Sequence, residues 1–233
     1  MTQSRATRRD ASDRVRIEWT RRIEAEYRSA ALTQELGHFL LVLGAPEWLV
    51  RDAVRITTDE LAHARLSSAV ATAAGNTAPP AIDRGSLSHA RSGSEPLELA
   101  TTRIVLEGYC LGETIAVRLF SAMRKDCDVP VARRALDRIL KDEVRHRDFG
   151  WNALEWLVAI DVTGAIREHV KQLYPELVER QRQAYAPEGF ENEKALPAAD
   201  RRWGLIPGSI YASVTAATPK RDYQPRLKKL GLA

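Results

Sequence analysis

Two segments of the sequence repeat one pattern of residue types that bind metals, Asp-Glu-x-x-His. They read DELAH at 59–63 and DEVRH at 142–146. On a helix, residues three apart share one face about one turn apart, so the Glu and His of each segment can bind one ion. Carboxylates combined with imidazoles suit iron or manganese better than a thiolate set would. The repeat therefore predicts a centre of two metal ions between two helices.

The predicted ligands of this repeat are Glu60, His63, Glu143 and His146. Asp59 and Asp142 come four residues before each histidine, on nearly the same helix face. They are predicted to accept the second ring N–H of the imidazoles and so fix the histidine tautomers. No histidine precedes either glutamate to give the His-Glu-x-x-His motif, which argues against a zinc protease.

Two helical hairpins would position these segments. Helical periodicity runs over 13–43 and 47–74, interrupted at Gly44-Ala45-Pro46, and again over 96–125 and 131–158. Each repeat lies near the middle of the second helix of its hairpin. The long stretch between the hairpins, 75–95, is rich in Gly, Pro and Ser and predicts a connection. An all-α four-helix bundle with one long crossover has this order of elements.

Three further segments complete the predicted organisation of the chain. Residues 1–12 are predicted to be a disordered basic arm, and 13–185 to be the helical bundle with a fifth helix over 162–185. Residues 186–233 hold many prolines and glycines and are predicted to wrap the bundle.

The other two helices of such a bundle should each add one glutamate that bridges the ions. In the second hairpin the candidates are Glu107 and Glu113. Glu113 lies 15 residues before Asp128 in the turn, and Glu143 lies 15 residues after it. Glu113 therefore lies at the same level along the hairpin as Glu143 and is the predicted ligand. Glu107 is predicted to lie in the shell around the ligands or on the substrate side of the centre.

In the first hairpin the candidates are Glu24, Glu26 and Glu35. Height along the helix does not separate them, but the helix face does. At about 100° per residue, Glu26 shares a stripe of small and apolar residues, and Glu35 lies on the opposite side. Glu26 is therefore the predicted ligand, and Glu35 with His38 is interpreted as a polar pair on the outer face.

Composition and charge argue against a disulfide-rich, secreted or membrane-spanning protein. The chain has 233 residues, a net charge of +4 and a pI of about 9.2. Cys110 and Cys127 are too few for a disulfide scaffold and predict reduced thiols in a cytoplasmic protein. The basic N-terminus lacks the apolar stretch of a signal peptide, and no apolar run is long enough for a membrane span. The basic residues cluster at both ends, which favours solvated tails over a contact surface for RNA, a membrane or a carrier protein.

With these residues identified, the chain resembles non-haem di-iron proteins of the ferritin-like superfamily, over about 20–160. The segments EYRSAAL…LGAP…DELAHARL and EGYCLGETIA…DEVRHRDFGW look like those of bacterial ferritin-like oxygenases or oxidases. In these proteins a glutamate precedes a Ser-x-Ala segment, here Glu26 before Ser29, and a Gly-Glu-Thr segment precedes the last motif, here Gly112-Glu113-Thr114. The last motif is also similar to that of aldehyde-deformylating oxygenases, whereas the extra histidine of arylamine N-oxygenases has no clear counterpart.

The resemblance implies an enzyme that uses two Fe ions, with Fe/Mn as the alternative, and O2 as co-substrate to oxidise a small organic molecule. An external electron donor would be required if the reaction is a monooxygenation, and a dimer is compatible with the sequence. Tyr27 and Tyr109 are candidate redox or pocket groups, with core packing as the competing interpretation. The alternative functions are a ferroxidase, an RNA-modifying hydroxylase and a metal-free helical interaction module. The resemblance leaves the substrate and the electron donor open.

Overall fold

The computed structural model describes residues 11–91 and 93–232, and all regular elements within them are helical. The first hairpin consists of α1 (Asp13–Val42) and α2 (Glu47–Ala73). The second consists of α3, with the consecutive segments Leu97–Ile104, Val105–Gly112 and Glu113–Lys125, and α4 (Pro130–Ala159). They are followed by α5 (Ala165–Tyr185), α6 (Ala198–Arg202) and α7, whose segments are Gly208–Thr218, Pro219–Tyr223 and Gln224–Lys229. Single 3₁₀ turns lie at Arg84–Ser86 and Phe190–Asn192.

The first hairpin closes at the turn that the sequence predicts. Ser12 caps the start of α1 by accepting a hydrogen bond from the Val15 N–H. At the other end Gly44 has a φ of 71°, a left-handed conformation that glycine adopts without strain, and Pro46 precedes the first turn of α2. The two helices then pack against each other along their length.

The crossover between the hairpins runs along the outside of α1. Asn76 donates to the Thr20 hydroxyl at 2.7 Å, near the start of α1. Further on, the His89 N–H donates to the Glu35 carboxylate at 2.7 Å, near the end of α1. The connection therefore returns the chain to the far end of the first hairpin, so that α3 runs antiparallel to α1. It also gives Glu35 a structural role on the outer face, away from the bundle interior.

The helices that carry the two repeats face each other, because α2 packs against α4. Leu136, Ile139 and Leu154 on α4 are fully buried. The prediction of an all-α chain with two hairpins joined by a long connection is thus confirmed, while the ferritin-like relationship stays a prediction.

One feature of α3 was not predicted from the sequence, which shows only uninterrupted helical periodicity there. The segment Val105–Gly112 is π-helical, so its backbone hydrogen bonds join residues five apart instead of four. Two of its carbonyl groups accept hydrogen bonds from other parts of the chain. The Gln181 amide donates to the Glu107 carbonyl and the Tyr223 hydroxyl donates to the Leu111 carbonyl, both at 2.9 Å. The π-helical segment is thereby supported from α5 and α7.

The C-terminal extension packs against the bundle. The Trp19 indole N–H donates to the Trp203 carbonyl at 3.0 Å, and both rings are buried. Arg118 on α3 pairs with Asp222 on α7 at 2.6 Å. Much of the extension is helical, where the sequence predicted only a segment that wraps the bundle.

The N-terminal arm predicted at 1–12 lies, up to residue 10, outside the described residues. Residues 11 and 12 do not belong to such an arm, because Ala11 is buried and Ser12 caps α1. Cys110 and Cys127 are free and buried, as predicted. None of the described helices is both long and apolar enough to cross a bilayer.

Candidate metal centre

The four long helices bring all six predicted ligands together. α2 and α4 contribute the residues of the repeats, while α1 contributes Glu26 and α3 contributes Glu113. Their ligand atoms form two groups, in each of which the atoms lie within 4.8 Å of one another. One group contains Glu26, Glu60, His63 and Glu143, and the other contains Glu60, Glu113, Glu143 and His146. These are the groups required to hold a pair of ions.

The two glutamates that belong to both groups are Glu60 and Glu143. Glu26 and Glu113, the glutamates expected to bridge the ions, each belong to one group only. The reason lies in the packing: α2 and α4 face each other across the centre, so their glutamates can reach both groups. Glu26 and Glu113 approach from the flanking helices, and each serves one group only.

The distances between the ligand atoms fit coordination better than direct hydrogen bonding. Nδ1 of His146 lies 3.3 Å from an oxygen of Glu60 and 3.3 Å from an oxygen of Glu143. Nδ1 of His63 lies 3.4 Å from Glu60 and 3.7 Å from both Glu26 and Glu143. Donor atoms bound at about 2.1 Å to one ion lie about 3.0–3.4 Å apart when they subtend 90–110° at it.

Five buried atoms at the centre lack hydrogen-bond partners in the described part of the chain. Four of them are ligand atoms, Nδ1 of His63 and of His146 and Oε2 of Glu60 and of Glu143, and the fifth is Nε2 of His146. A buried polar group without a partner costs about 1–3 kcal/mol, and more if it is charged. A cation between the two histidines would satisfy all four ligand atoms at once, so the residues fit a metal pair.

Each histidine is oriented by the aspartate of the opposite repeat. Nε2 of His63 lies 3.1 Å from Asp142, and Nε2 of His146 lies 3.5 Å from Asp59. The second distance is too long for a good hydrogen bond but leaves the charges adjacent. The aspartates therefore act across the hairpins, which spacing along one helix does not reveal.

Two arginines of α4, which were not among the residues predicted from the sequence, hold both aspartates. Arg145 pairs with Asp59 at 2.6 Å and with Asp142 at 2.8 Å. Arg138 pairs with Asp59 at 3.1 Å and also with Asp142. Their signal in the sequence is positional, since they lie four residues before and three after Asp142, on its own helix face.

Burial and mutual charge shift the protonation of the ligands. Burial raises the pKa of Glu26 to about 8, and burial with the neighbouring Glu143 raises the pKa of Glu113 well above its usual value. Burial alone would lower the pKa of His63, but the carboxylates of Glu26 and Glu60 outweigh it and raise the pKa to about 11. A metal ligand must be deprotonated, so a cation binding here displaces protons near neutral pH and binds more tightly as the pH rises.

The ligands open onto one cavity of about 620 Å³. It is lined by the carboxyl-bearing residues Glu26, Glu60, Glu113 and Glu143, and extends between α1 and α3. α5 and α7 border it through Tyr185 and Tyr211. This volume is in the range of pockets that bind small organic molecules.

Among the tyrosines, Tyr109 is the predicted candidate that reaches this cavity. It is buried, and its hydroxyl shares a hydrogen bond of 2.6 Å with Thr33. Tyr27 is 42% exposed and does not line the cavity, because it lies on the outer face of α1. Tyr185 was missed, although burial and the nearby Glu113 raise the pKa of its phenol. Its position on α5 gives no sequence signal, since that helix carries no ligand.

Glu107 has no place next to the ligands. Its carboxylate pairs with Arg180 of α5 at 3.0 Å, at the partly exposed edge of the bundle. Six residues apart on one helix, Glu107 and Glu113 point in different directions, since about 100° per residue separates them by about 120°. Glu107 therefore contributes to the attachment of α5 and not to the centre.

Because each aspartate lies next to the histidine of the other hairpin, its replacement should affect the ion bound by that histidine. We expect Asp142→Asn to weaken the binding of the ion held by His63 by about 10–100-fold, since that imidazole loses its negatively charged acceptor. A double-mutant cycle with Zn(II) affinity as the readout tests this, because a pair in contact is not additive. The effect of Asp142→Asn should disappear in a His63→Ala background and persist in a His146→Ala background. The reverse result would place the aspartate on the histidine of its own helix.

No family model matches the chain, and neither the curated proteins nor the solved structures include a match.

Proposed function

We propose that the chain is a ferritin-like, non-haem di-iron oxidoreductase that uses O2 to oxidise a small organic substrate. The observation that carries this proposal is the set of four buried ligand atoms left without hydrogen bonds between two Asp-Glu-x-x-His helices. A metal-free interaction module would bury these groups at a large and uncompensated cost.

The donor set favours iron or manganese. Each group combines one imidazole with three glutamates, two of which it shares with the other group. Oxygen and nitrogen donors without thiolate are typical of iron and manganese sites in proteins. When bound, such an ion pair supplies the electrons and the open coordination positions that reaction with O2 requires.

The protein itself would orient the ligands and provide a cavity beside them. Asp59 and Asp142 fix the imidazoles, and Arg138 and Arg145 hold these aspartates in place. Tyr109 and Tyr185 present buried hydroxyl groups near the ligands and could pass a proton to or from a substrate. The cavity favours an organic substrate over iron alone, because a ferroxidase needs no apolar chamber beside its ions.

The experiment is to load the protein anaerobically with Fe(II), count the bound iron, and then admit air. About two irons per chain and an oxygen-dependent absorbance band are expected, and both should be lost in His63→Ala/His146→Ala. His38→Ala is the matched control, since His38 is exposed on the outer face of α1 and should change neither result. Failure to bind iron, or uptake that the double variant leaves unchanged, would refute the proposal. Turnover of many Fe(II) per chain into mineral would indicate a ferroxidase instead.

A further inference from the structure

The cavity continues from the metal ligands to the guanidinium of Arg22, a partly buried residue whose Nη1 atom is buried. Arg22 lies four residues before Glu26 on α1, about 6 Å along the helix axis, and both line the cavity. On the opposite wall, Phe120 lies seven residues after Glu113 on α3, about 10 Å along the axis. The chamber thus has an acidic, ligand-bearing end and a cationic end one to two helical turns away.

The Arg22 side chain is held in position by aromatic and sulfur contacts. Its guanidinium lies 4.4 Å from the centre of the Trp19 ring and 5.1 Å from that of Phe120. Nη2 lies 3.3 Å from the sulfur of Met123. These contacts fix the plane of the guanidinium without neutralising its charge.

Within 11–91 and 93–232, no carboxylate pairs with Arg22. Nη1 of this residue is buried and has no hydrogen-bond partner there. Arg21, also at the cavity, differs in both respects, since it pairs with Glu18 at 3.4 Å and its side chain is 70% exposed. A buried cationic donor without a partner is strongly disfavoured unless a ligand supplies the acceptor.

The walls between the two ends are mostly apolar. On α3 they are formed by Ala116, Leu119, Phe120 and Met123, and on α5 by Ala184. Tyr211 of α7 also lines the cavity. Burial raises the pKa of its phenol, and the positive charge of Arg22 only partly opposes this rise. A ligand that fits this chamber has an apolar body and one anionic group.

We propose that the cavity binds an organic carboxylate, with its acid group on Arg22 and its apolar body directed towards the metal ligands. A carboxylate matches the planar guanidinium and brings a single negative charge. A phosphate would bring nearly twice that charge to one arginine, in a chamber that is already lined by five glutamates. Oxidation of the bound acid rests on the proposed function, but its binding to Arg22 does not.

Binding is therefore measured without turnover, by calorimetry on Zn(II)-loaded protein, because zinc accepts the same donor types and has no redox chemistry. The probes are octanoate and 4-phenylbutanoate, each compared with its neutral amide. We expect each acid that binds to do so at least about tenfold more tightly than its amide, as for a charge-assisted hydrogen bond. Equal affinities, or no binding of either acid, would overturn the proposal.

Variants assign the effect to the residue. Arg22→Gln should weaken acid binding about tenfold or more and leave amide binding nearly unchanged. Arg22→Lys should retain part of the preference for the acid, and Arg21→Gln should behave like the wild type. If Arg22→Gln does not fold, Arg22→Lys and the wild-type comparison of acid with amide still decide the matter. An acid that binds Arg22→Gln as tightly as the wild type, through the metal ions, would refute the assignment.

The two proposals fail in different ways. If acid binding depends on Arg22 but the iron-loaded protein shows no oxygen-dependent absorbance band, the carboxylate site is supported and the oxidase proposal is refuted. If the absorbance band appears but no acid binds, the oxidase proposal is supported and the carboxylate site is refuted.

Discussion

Replacing Glu143 by alanine should remove both metal ions from the chain, whereas replacing Glu113 should weaken only one. Glu143 belongs to both ligand groups and Glu113 to one. Loss of one carboxylate ligand among four removes a charged donor, and we expect a fall in affinity of at least about 100-fold at each ion affected. The measurement is the number of Zn(II) or Fe(II) ions retained per chain at micromolar free metal.

The control for this prediction is Glu155→Ala, an exposed glutamate on the same helix, which should retain two ions. Misfolding is tested separately by thermal denaturation of the metal-free protein. A single cooperative unfolding transition in the metal-free Glu143→Ala variant would show that the loss of the ions is not caused by misfolding. Retention of one ion by Glu143→Ala would show that Glu143 does not bridge the pair.

The second large effect is expected at Gly150 on α4, where the backbone of α3 comes close. A methyl group added there would lie 2.5 Å from Cβ and 2.6 Å from the carbonyl carbon of Tyr109, and 2.9 Å from the Cys110 nitrogen. Two of these atoms belong to the backbone, so no change of rotamer relieves the clash. We expect Gly150→Ala to lower the free energy of unfolding by about 3 kcal/mol, measured by urea denaturation.

The same substitution should also weaken one metal ion more than the other. Tyr109 and Cys110 belong to the π-helical segment that precedes Glu113, so pushing this segment outward displaces a ligand of the His146 group. The matched control is Gly108→Ala in the same segment, where an added methyl meets no atom within 4 Å. That variant should be neutral or more stable by about 0.5–1 kcal/mol. Equal destabilisation by both variants would contradict the close contact between α3 and α4.

Local spacing was sufficient to identify the six residues that meet at the centre. The repeat fixed the residues of α2 and α4, because three-residue spacing on a helix determines which side chains share a face. Equal distance from a turn then selected Glu113 over Glu107, and the helix face selected Glu26 over Glu35. Each of these relationships lies within one helix or one hairpin, so spacing along the sequence is enough to predict it.

The remaining features depend on contacts between elements distant in the sequence. The pairing of His63 with Asp142 joins residues of different hairpins, and no periodicity encodes it. Arg22 and Tyr185 acquire their significance from a cavity bordered by α3, α5 and α7. The π-helical segment is supported by Gln181 and Tyr223, whose side chains reach it only after the whole chain has folded.

That support has a consequence for the order in which the chain matures. The carbonyl of Leu111, two residues before a ligand of one ion, takes its hydrogen bond from Tyr223, more than a hundred residues later. During synthesis the first hairpin leaves the ribosome long before that tyrosine, since chains emerge from the N-terminus at about 5–20 residues per second. A nascent chain can therefore present Glu26, Glu60 and His63 without the other half of the centre. The complete set of ligands is assembled late, when the rest of the chain is already present to enclose it.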